Sequence, residues 1–374
     1  MEKWAFGNWL SRLFAIPILM VGVVMVLNSP ARAVDFSGER ITIVVPFNEG
    51  GGTDSYTRFM VPYFQKYLPG NPKIIVQNKS GAGGILGGNY FAQKAKNDGT
   101  WVFALSTSTI SNFALGDPRV KFKLNEFIPI ILSPRGTMLY VRKDLGTQGI
   151  SDPKGKIEKI RSFPKDKLVF GGKTPRSMGL SLRVGLSLLG VETKDVWGMK
   201  GNGPMALAFE RGEFTVNFDN TLSYKNNRKK LHQDGIAVPL YTYGVEKDGK
   251  FVRDPVWPNV PTFYETYKAV HGKEPSGDAY DAFVSLHAMS VTMSKSWNLP
   301  AGTSKDVVEA YRNAARKMMQ DADFKAKRAK IFGPFTQTIG DEAFGIRDKA
   351  TQIPPNAKKW LAKYVKERYD IEIK

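Results

Sequence analysis

The sequence predicts an α/β protein of two lobes built on parallel sheets, and three observations carry that reading. The chain has 374 residues, and at ~150 residues per domain that is enough for two independent cores. Hydrophobic residues make up 42% and charged residues 24%, an ordinary globular balance that excludes wholesale disorder. A unit of strand, glycine loop and helix recurs along the chain, and alternation with helices of this length is the pattern of parallel sheets.

The first unit opens with Ile41-Thr42-Ile43-Val44-Val45-Pro46, a β-branched run suited to a strand buried on both faces. It runs into the loop Asn48-Glu49-Gly50-Gly51-Gly52-Thr53-Asp54. A helical pattern follows through Tyr56, Met60, Tyr63, Phe64 and Leu68, and stops at Pro69-Gly70-Asn71-Pro72. The second unit is a strand over Lys73 to Asn78, a loop Ser80-Gly81-Ala82-Gly83-Gly84, and a helix from Ile85 to Lys96. Asp98-Gly99 then turns into a third strand, Trp101 to Leu105, which ends at Ser106-Thr107-Ser108-Thr109. Further on, Lys167 to Phe170 enters Gly171-Gly172-Lys173-Thr174-Pro175 and a helix from Ser177 to Leu189. Asp195 to Met199 enters Lys200-Gly201-Asn202-Gly203-Pro204 and a helix through Phe209, before a strand over Gly212 to Asp219.

In such sheets ligands sit beyond the carboxyl ends of the strands, where these loops lie. A glycine loop entering a helix lets backbone approach a ligand and points free N–H groups at it, which suits a carboxylate or other small oxyanion. One such loop could be no more than a tight turn. Four of them on two lobes favour a shared cleft.

Residues 1–33 read as an address. Lys3 and Arg12 precede Leu13 to Leu27, an apolar run of 15 residues followed by Asn28-Ser29-Pro30 and the small triplet Ala31-Arg32-Ala33. That is the order of a secretory signal peptide cleaved after Ala33. The run is shorter than the ~20 residues of a spanning helix, so a soluble, exported protein is the expectation. Cleavage would remove Lys3, Arg12, Arg32 and Glu2, which takes the net charge from +19 to +17. A surplus of this size attracts anions in general. The densest tracts, 226–230 and 325–330, carry no nucleic-acid-binding motif. They read as solvated faces, so nucleic acid is not an expected partner.

Several chemistries are excluded. Without cysteine there is no disulfide, thiol nucleophile, thiolate metal site or lipid-modified cysteine. The chain has no GxxxxGK[ST], GxSxG or HExxH motif, and Leu86 stands where a dinucleotide fingerprint after Gly81 needs its third glycine. His287, in the apolar stretch Ser285 to Met289, reads as a structural histidine. His232 and His271 read as solvated in polar loops. The expectation is a protein without enzyme activity, cofactor or bound metal.

Ile43-Val44-Val45-Pro46-Phe47 with Gly50-Gly51-Gly52-Thr53-Asp54, followed by Val76 to Gly84 and Asn97-Asp98-Gly99-Thr100, resembles three successive signatures of one family. The family is the periplasmic solute receptors of tripartite tricarboxylate transporters, also called Bordetella-uptake-gene receptors. Lys200 to Pro204, Val260-Pro261-Thr262-Phe263-Tyr264-Glu265 and Leu299 to Thr303 are similar to its later segments, in the right order.

The resemblance implies a type II periplasmic-binding-protein-like flytrap fold, its lobes joined by two crossover segments. Lobe one would be residues 34–136 plus 287–374, and lobe two residues 137–286. It implies a monomer that binds a small organic carboxylate and delivers it to integral membrane transporter subunits; a periplasmic receptor signalling to a membrane kinase is the alternative. The implied ligand positions in lobe one are Phe47, Gly50, Gly51, Gly52, Thr53, Asp54, Ala82, Gly83, Gly84, Ser106, Thr107 and Ser108. Those in lobe two are Gly172, Lys173, Thr174, Ser177, Gly201 and Asp219. Asp54 is better suited to capping the helix or orienting water than to touching an anion. Glu49 departs from the proline common there, and Lys173 and Arg176 are cations that could pair with a second acidic group. The segment Tyr243 to Pro258 is longer than the family pattern and reads as a surface hairpin at the cleft rim. Thr303 and Asp306 have capping-box spacing, ahead of an apolar stripe at Val307, Tyr311, Ala314 and Met318.

Overall fold

The computed structural model describes residues 34–247 and 250–373, so the leader read over 1–33 lies outside the described residues. The chain begins its first sheet with β1 (Arg40–Val45), whose Ile41, Ile43, Val44 and Val45 are fully buried. Then come α1 (Gly52–Tyr67), β2 (Lys73–Asn78), α2 (Ile85–Lys94), β3 (Trp101–Ser106), α3 (Thr107–Ala114) and β4 (Ile128–Ser133). The β1 strand pairs in parallel with both β2 and β3, as right for strands joined by helices.

At Pro134-Arg135-Gly136 the chain passes to a second sheet. This comprises β5 (Thr137–Arg142), then after α4 (Pro153–Arg161) β6 (Val169–Gly171), α5 (Gly179–Leu188) and β7 (Lys194–Val196). It continues with α6 (Asn202–Glu210), β8 (Val216–Asn220), the short α7 (Thr221–Asn227) and α8 (Lys229–Gln233), and β9 (Ala237–Thr242). A hairpin, β10 (Val245–Lys247) and β11 (Lys250–Val252), and helices α9 (Phe263–His271) and α10 (Asp278–Ser290) lead back to the first sheet. There β12 (Lys295–Leu299) inserts, followed by α11 (Lys305–Gln320), α12 (Ala322–Lys327), β13 (Thr338–Ile339), α13 (Glu342–Thr351) and α14 (Pro355–Tyr369).

The sheet orders are β13-β4-β12-β3-β1-β2 and β7-β6-β8-β5-β9. Both are mixed, which corrects the expectation of parallel sheets. Strand β12 runs antiparallel to β3 and β4, and β5 runs antiparallel to β8 and β9. The reason is the path: strands that leave or re-enter a lobe are not bound by the same-lobe helical crossover that makes neighbours parallel. The two-lobe α/β architecture itself is as the alternation predicts.

Local differences have equally plain causes. The stretch after β3, to which the sequence assigns no element, is α3, whose Thr107 to Asn112 are all buried, so packing overrides the weak helix propensity of its Thr and Ser. The cap of α11 is Ser304, which accepts from the Val307 N–H, whereas Thr303 donates its hydroxyl to the Pro300 carbonyl. The stripe behind it is core: Tyr311, Ala314 and Met318 are fully buried and Val307 half so. His287 is buried as expected, its Nε2 3.2 Å from the Tyr243 carbonyl, and burial pushes its pKa down to about 4. His232 is not a loop residue: it lies in α8, with Nδ1 3.1 Å from the Tyr224 hydroxyl and its ring against Trp257. His271 closes α9, exposed, with Nε2 3.0 Å from the Leu188 carbonyl. The hairpin is present, but Phe251 stacks on Tyr264 at 4.0 Å, facing the helices of the second sheet rather than a cleft rim.

Trp297 of β12 anchors the first core. It is fully buried, its ring centroid lies 4.7 Å from that of Phe64, and its indole N–H points at Thr57 Oγ1. The C-terminal α14 packs along α10, and its last turn touches the second sheet through Tyr369, which donates to Asp195 at 2.7 Å. Replacing Trp297 with alanine is expected to cost about 3–5 kcal/mol through the cavity it leaves, read as a lower urea midpoint.

Candidate functional site

The carboxyl ends of β1 and β3 face those of β6 and β8 across a cavity of about 390 Å³. Three helices begin at this cavity without a side-chain cap: α1 behind Gly51, α3 behind Ser106 and α6 behind Gly201. The first N–H groups of a helix have no intrahelical partner, and together with the helix dipole they favour an anion.

Two lysines occupy the walls, one from each sheet. Lys173 is only 8% exposed, and its Nζ donates to Asn202 Oδ1 at 2.7 Å. Lys295, at the start of β12, is 7% exposed and donates to Ser106 Oγ at 2.9 Å. Burial pushes Lys173 down to about 8, although Asp219 favours its charged form. Burial, with repulsion from Arg135 and Lys173, pushes Lys295 down to about 7. Neither lysine is bonded to a carboxylate among the described residues.

The acids of the site are spoken for. Asp219 accepts from Arg228 Nε at 3.0 Å and from the Tyr140 hydroxyl at 3.0 Å, and burial raises its pKa despite them. Glu49 sits at the mouth with its side chain 78% exposed, 3.8 Å from Arg58. It therefore leaves the interior clear for an anion.

Of the positions expected from sequence, Phe47, Gly50, Gly51, Gly52, Thr53, Ser106, Thr107, Ser108, Lys173, Gly201 and Asp219 line this cavity. The others do not. Asp54 lies behind the first loop, accepting from the Gly50 N–H at 2.9 Å, from Arg58 Nε and from Asn78 Nδ2 at 3.0 Å. Burial alone would raise its carboxyl, but these donors together hold it below its ordinary value. Its role is to brace the glycine loop.

Ala82, Gly83 and Gly84 form a left-handed turn packed against α3. A Cβ on Gly84 would come within 2.2 Å of Thr109 Oγ1, and the Gly83 carbonyl accepts from Asn112 Nδ2 at 3.2 Å. Thr174 donates across the seam to Asn112 Oδ1 at 3.0 Å, and Ser177 donates to the Thr174 carbonyl. Gly172 is covered by the Trp197 ring. These residues join the two walls beside the cavity. Arg176 also points away, toward Asp117 at 3.4 Å and the Glu372 carbonyl.

Sequence reading passes over Lys295, Ser294, Asn202, Asn220, Ser223 and Arg228, which complete the walls. Lys295 carried a faint signal in the alternation Ser294-Lys295-Ser296-Trp297, but only the insertion of β12 between β3 and β4 aims it at the cavity. Arg228 belongs to a tract read as solvated; its side chain is instead 15% exposed and turned onto Asp219.

No protein-family model matches the chain. It is 28% identical over 122 residues to Protein BugT of Bordetella pertussis, covering 32% of this chain and 36% of that one. It is 27% identical over 236 residues to the UPF0065 protein in the tcbD-tcbE intergenic region of Pseudomonas sp. strain P51, covering 62% and 64%. The matches thus span about a third and somewhat under two thirds of these relatives. Among solved structures, R. palustris Rpa4515 with adipate superposes with a TM-score of 0.66 at 21% identity, over 89% of this chain and 98% of that one. Periplasmic binding protein BugD gives 0.64 at 19%, over 89% and 98%. MatC from Rhodopseudomonas palustris with bound malate gives 0.60 at 20%, over 86% and 97%. The fold is that of two-lobe, type II periplasmic binding proteins.

The bracing of the first loop is open to test. Because the Asp54 carboxyl is held below its unfolded value, its stabilisation is present above about pH 4 and is lost as the pH falls through the folded value. Asp54→Asn is expected to remove that acid-side loss and to cost about 1–3 kcal/mol at neutral pH. Urea melts from pH 3 to 7 measure both.

Proposed function

We propose that this chain, a distant member of the Bug-type (UPF0065) family of periplasmic solute-binding proteins, is an exported, non-enzymatic receptor. It captures a small organic carboxylate between its lobes and hands it to a membrane transporter. The observation that carries this reading is the pair of buried lysines in a cavity where three helices begin uncapped and no acid is left free. Each lysine is held out of water with its only direct hydrogen bond among the described residues to a neutral oxygen. The one carboxylate that favours the charge on Lys173, Asp219, is already bonded to Arg228, so a ligand carboxylate supplies what the lysines lack. The malate and adipate held by the two structural neighbours are ligands of the same class.

The mechanism follows from the placement of the groups. Phe47, Thr53, Ser106 and Lys295 belong to one lobe, and Lys173, Asn202 and Arg228 to the other. A ligand that touches both walls binds the closed arrangement better than the open one and shifts the population toward it. Closure brings the lobes together at Thr174 with Asn112, and at Asn226, which donates to the Lys330 carbonyl at 2.8 Å. The net surplus of positive charge on the exported part raises the encounter rate with anions. A transporter would then recognise the closed form.

With a panel of mono-, di- and aromatic carboxylates, a ligand at a hundredfold excess over its Kd is expected to stabilise the protein by about 2.7 kcal/mol. Thermal melts report this, and small-angle scattering is expected to show a more compact form. No response to any member of the panel overturns the carboxylate reading. The pH dependence has a fixed sign. A bound carboxylate raises the pKa of the lysine it meets, so affinity is greatest below the free values, about 7 for Lys295 and about 8 for Lys173. It should fall as pH rises through them, by up to about tenfold per pH unit for each lysine. Calorimetric titrations at pH 6, 7.5 and 9 measure the slope.

A further inference from the structure

The cavity walls carry more positive charge than one carboxylate matches. Among the charged groups lining it, Arg228 is matched by Asp219 and Glu49 lies out at the mouth beside Arg58. Lys173 and Lys295 remain, each more than nine-tenths buried and each bonded to a neutral side-chain oxygen. Behind them, Arg135 of the crossover is buried against the rings of Tyr56 and Phe332, with no ion pair among the described residues. The two lysines come from opposite lobes, so they approach each other when the lobes close. Asp219 lies near enough to favour the charge on Lys173 but is hydrogen-bonded to Arg228 and Tyr140. Closing on an empty cavity therefore buries two like charges without an anion of their own or strips a proton from one of them, and an interior of low dielectric penalises either outcome.

We infer that Lys295 and Lys173 form an electrostatic lock that counts the charge of the ligand: the lobes close fully around an organic dianion that gives one acidic group to each lysine, and not around a monoanion. The inference rests on the carboxylate-receptor reading and specifies it. One acidic group meets Lys295 and Ser106 at the starts of α1 and α3, and the other meets Lys173 at the start of α6. A monocarboxylate neutralises one lysine and leaves its partner buried and bare. A group left unpaired in this way loses much of the binding that the matched pair would give. The lysines thus work twice, attracting the correct ligand and opposing closure around the wrong one.

The test uses the mature protein and its Lys295→Met, Lys173→Met and double variants, which keep an unbranched side chain one atom shorter but drop the charge. Succinate, glutarate and adipate are compared with propionate, butyrate and hexanoate by calorimetry. Scattering is recorded with and without ligand. The wild type is expected to prefer dianions by at least about thirtyfold, the fold-change of one unmatched buried charge. Either single variant should lower that preference below about threefold, chiefly through lost dianion affinity, and Lys295→Arg should keep it. The ligand-free double variant should be more compact than the ligand-free wild type. A wild type indifferent to ligand charge, or a preference unchanged in both single variants, overturns the lock while leaving the carboxylate reading standing. If no carboxylate binds the wild type, that reading fails by itself. Ligand-free scattering then decides the lock: a double variant as open as the wild type overturns it, and a compact one sustains it.

Discussion

The antiparallel seating of β12 between β3 and β4 is the constraint on which the rest of the molecule turns. It brings the chain back from the second sheet into the middle of the first, so the lobes are tied at two places and not one. Its five residues are all buried. Trp297 points into the lobe-one core beside Phe64, while Lys295, two residues earlier on the same strand, reaches Ser106 at the cavity. A strand alternates its faces with a period of two, so these two side chains leave by the same face. What separates their surroundings is position along the strand: Trp297 lies within the sheet's core and Lys295 at its rim. The packing of the tryptophan thus sets the register that delivers the lysine.

Around that strand the site is assembled from parts with little chemistry of their own. Glycine loops end strands and open helices, and their amides are the only groups that α1 and α6 present before their first side chains. The reactive element is charge out of water. A lysine in water is hydrated and indifferent to its neighbours, whereas Lys173 and Lys295 have exchanged most of that hydration for one neutral hydrogen bond each. Asp219 shows the contrast, because it is buried just as deeply but has Arg228, Tyr140 and Asn202 around it. An anion-binding cavity needs no more than this, since affinity follows from pairing buried charges that were left incomplete.

Residues that do not line the cavity determine its shape. Asp54 ties the Gly50 amide to Arg58 and Asn78, so the first loop is fixed from behind. Asn112 binds the Gly83 carbonyl on one side and Thr174 on the other, which links the second loop to the opposite lobe. At the far edge the C-terminal tail returns to the second sheet through Tyr369 and Asp195, and Arg183 lies buried 2.8 Å from the same carboxylate. Several positions that resemblance puts in the ligand site therefore sit at the seam between lobes.

The sequence by itself determined the two-lobe α/β architecture, the glycine loops at the strand ends and the resemblance to an exported receptor family, and it raised the expectation of an anionic ligand. These are legible because periodicity, turn residues and helix starts act over a few neighbouring residues, and local rules read them directly. The resemblance holds in fold and in distant sequence identity. Only the tertiary structure decided that the sheets are mixed, that Arg176 points to Asp117 while Lys173 points inward, and that Arg228 leaves a basic tract to pair with Asp219. It alone revealed Lys295, whose partner Ser106 lies 189 residues away along the chain. The direction of a long side chain is set by whatever packs beside it, and at this site those neighbours come from distant segments joined by β12.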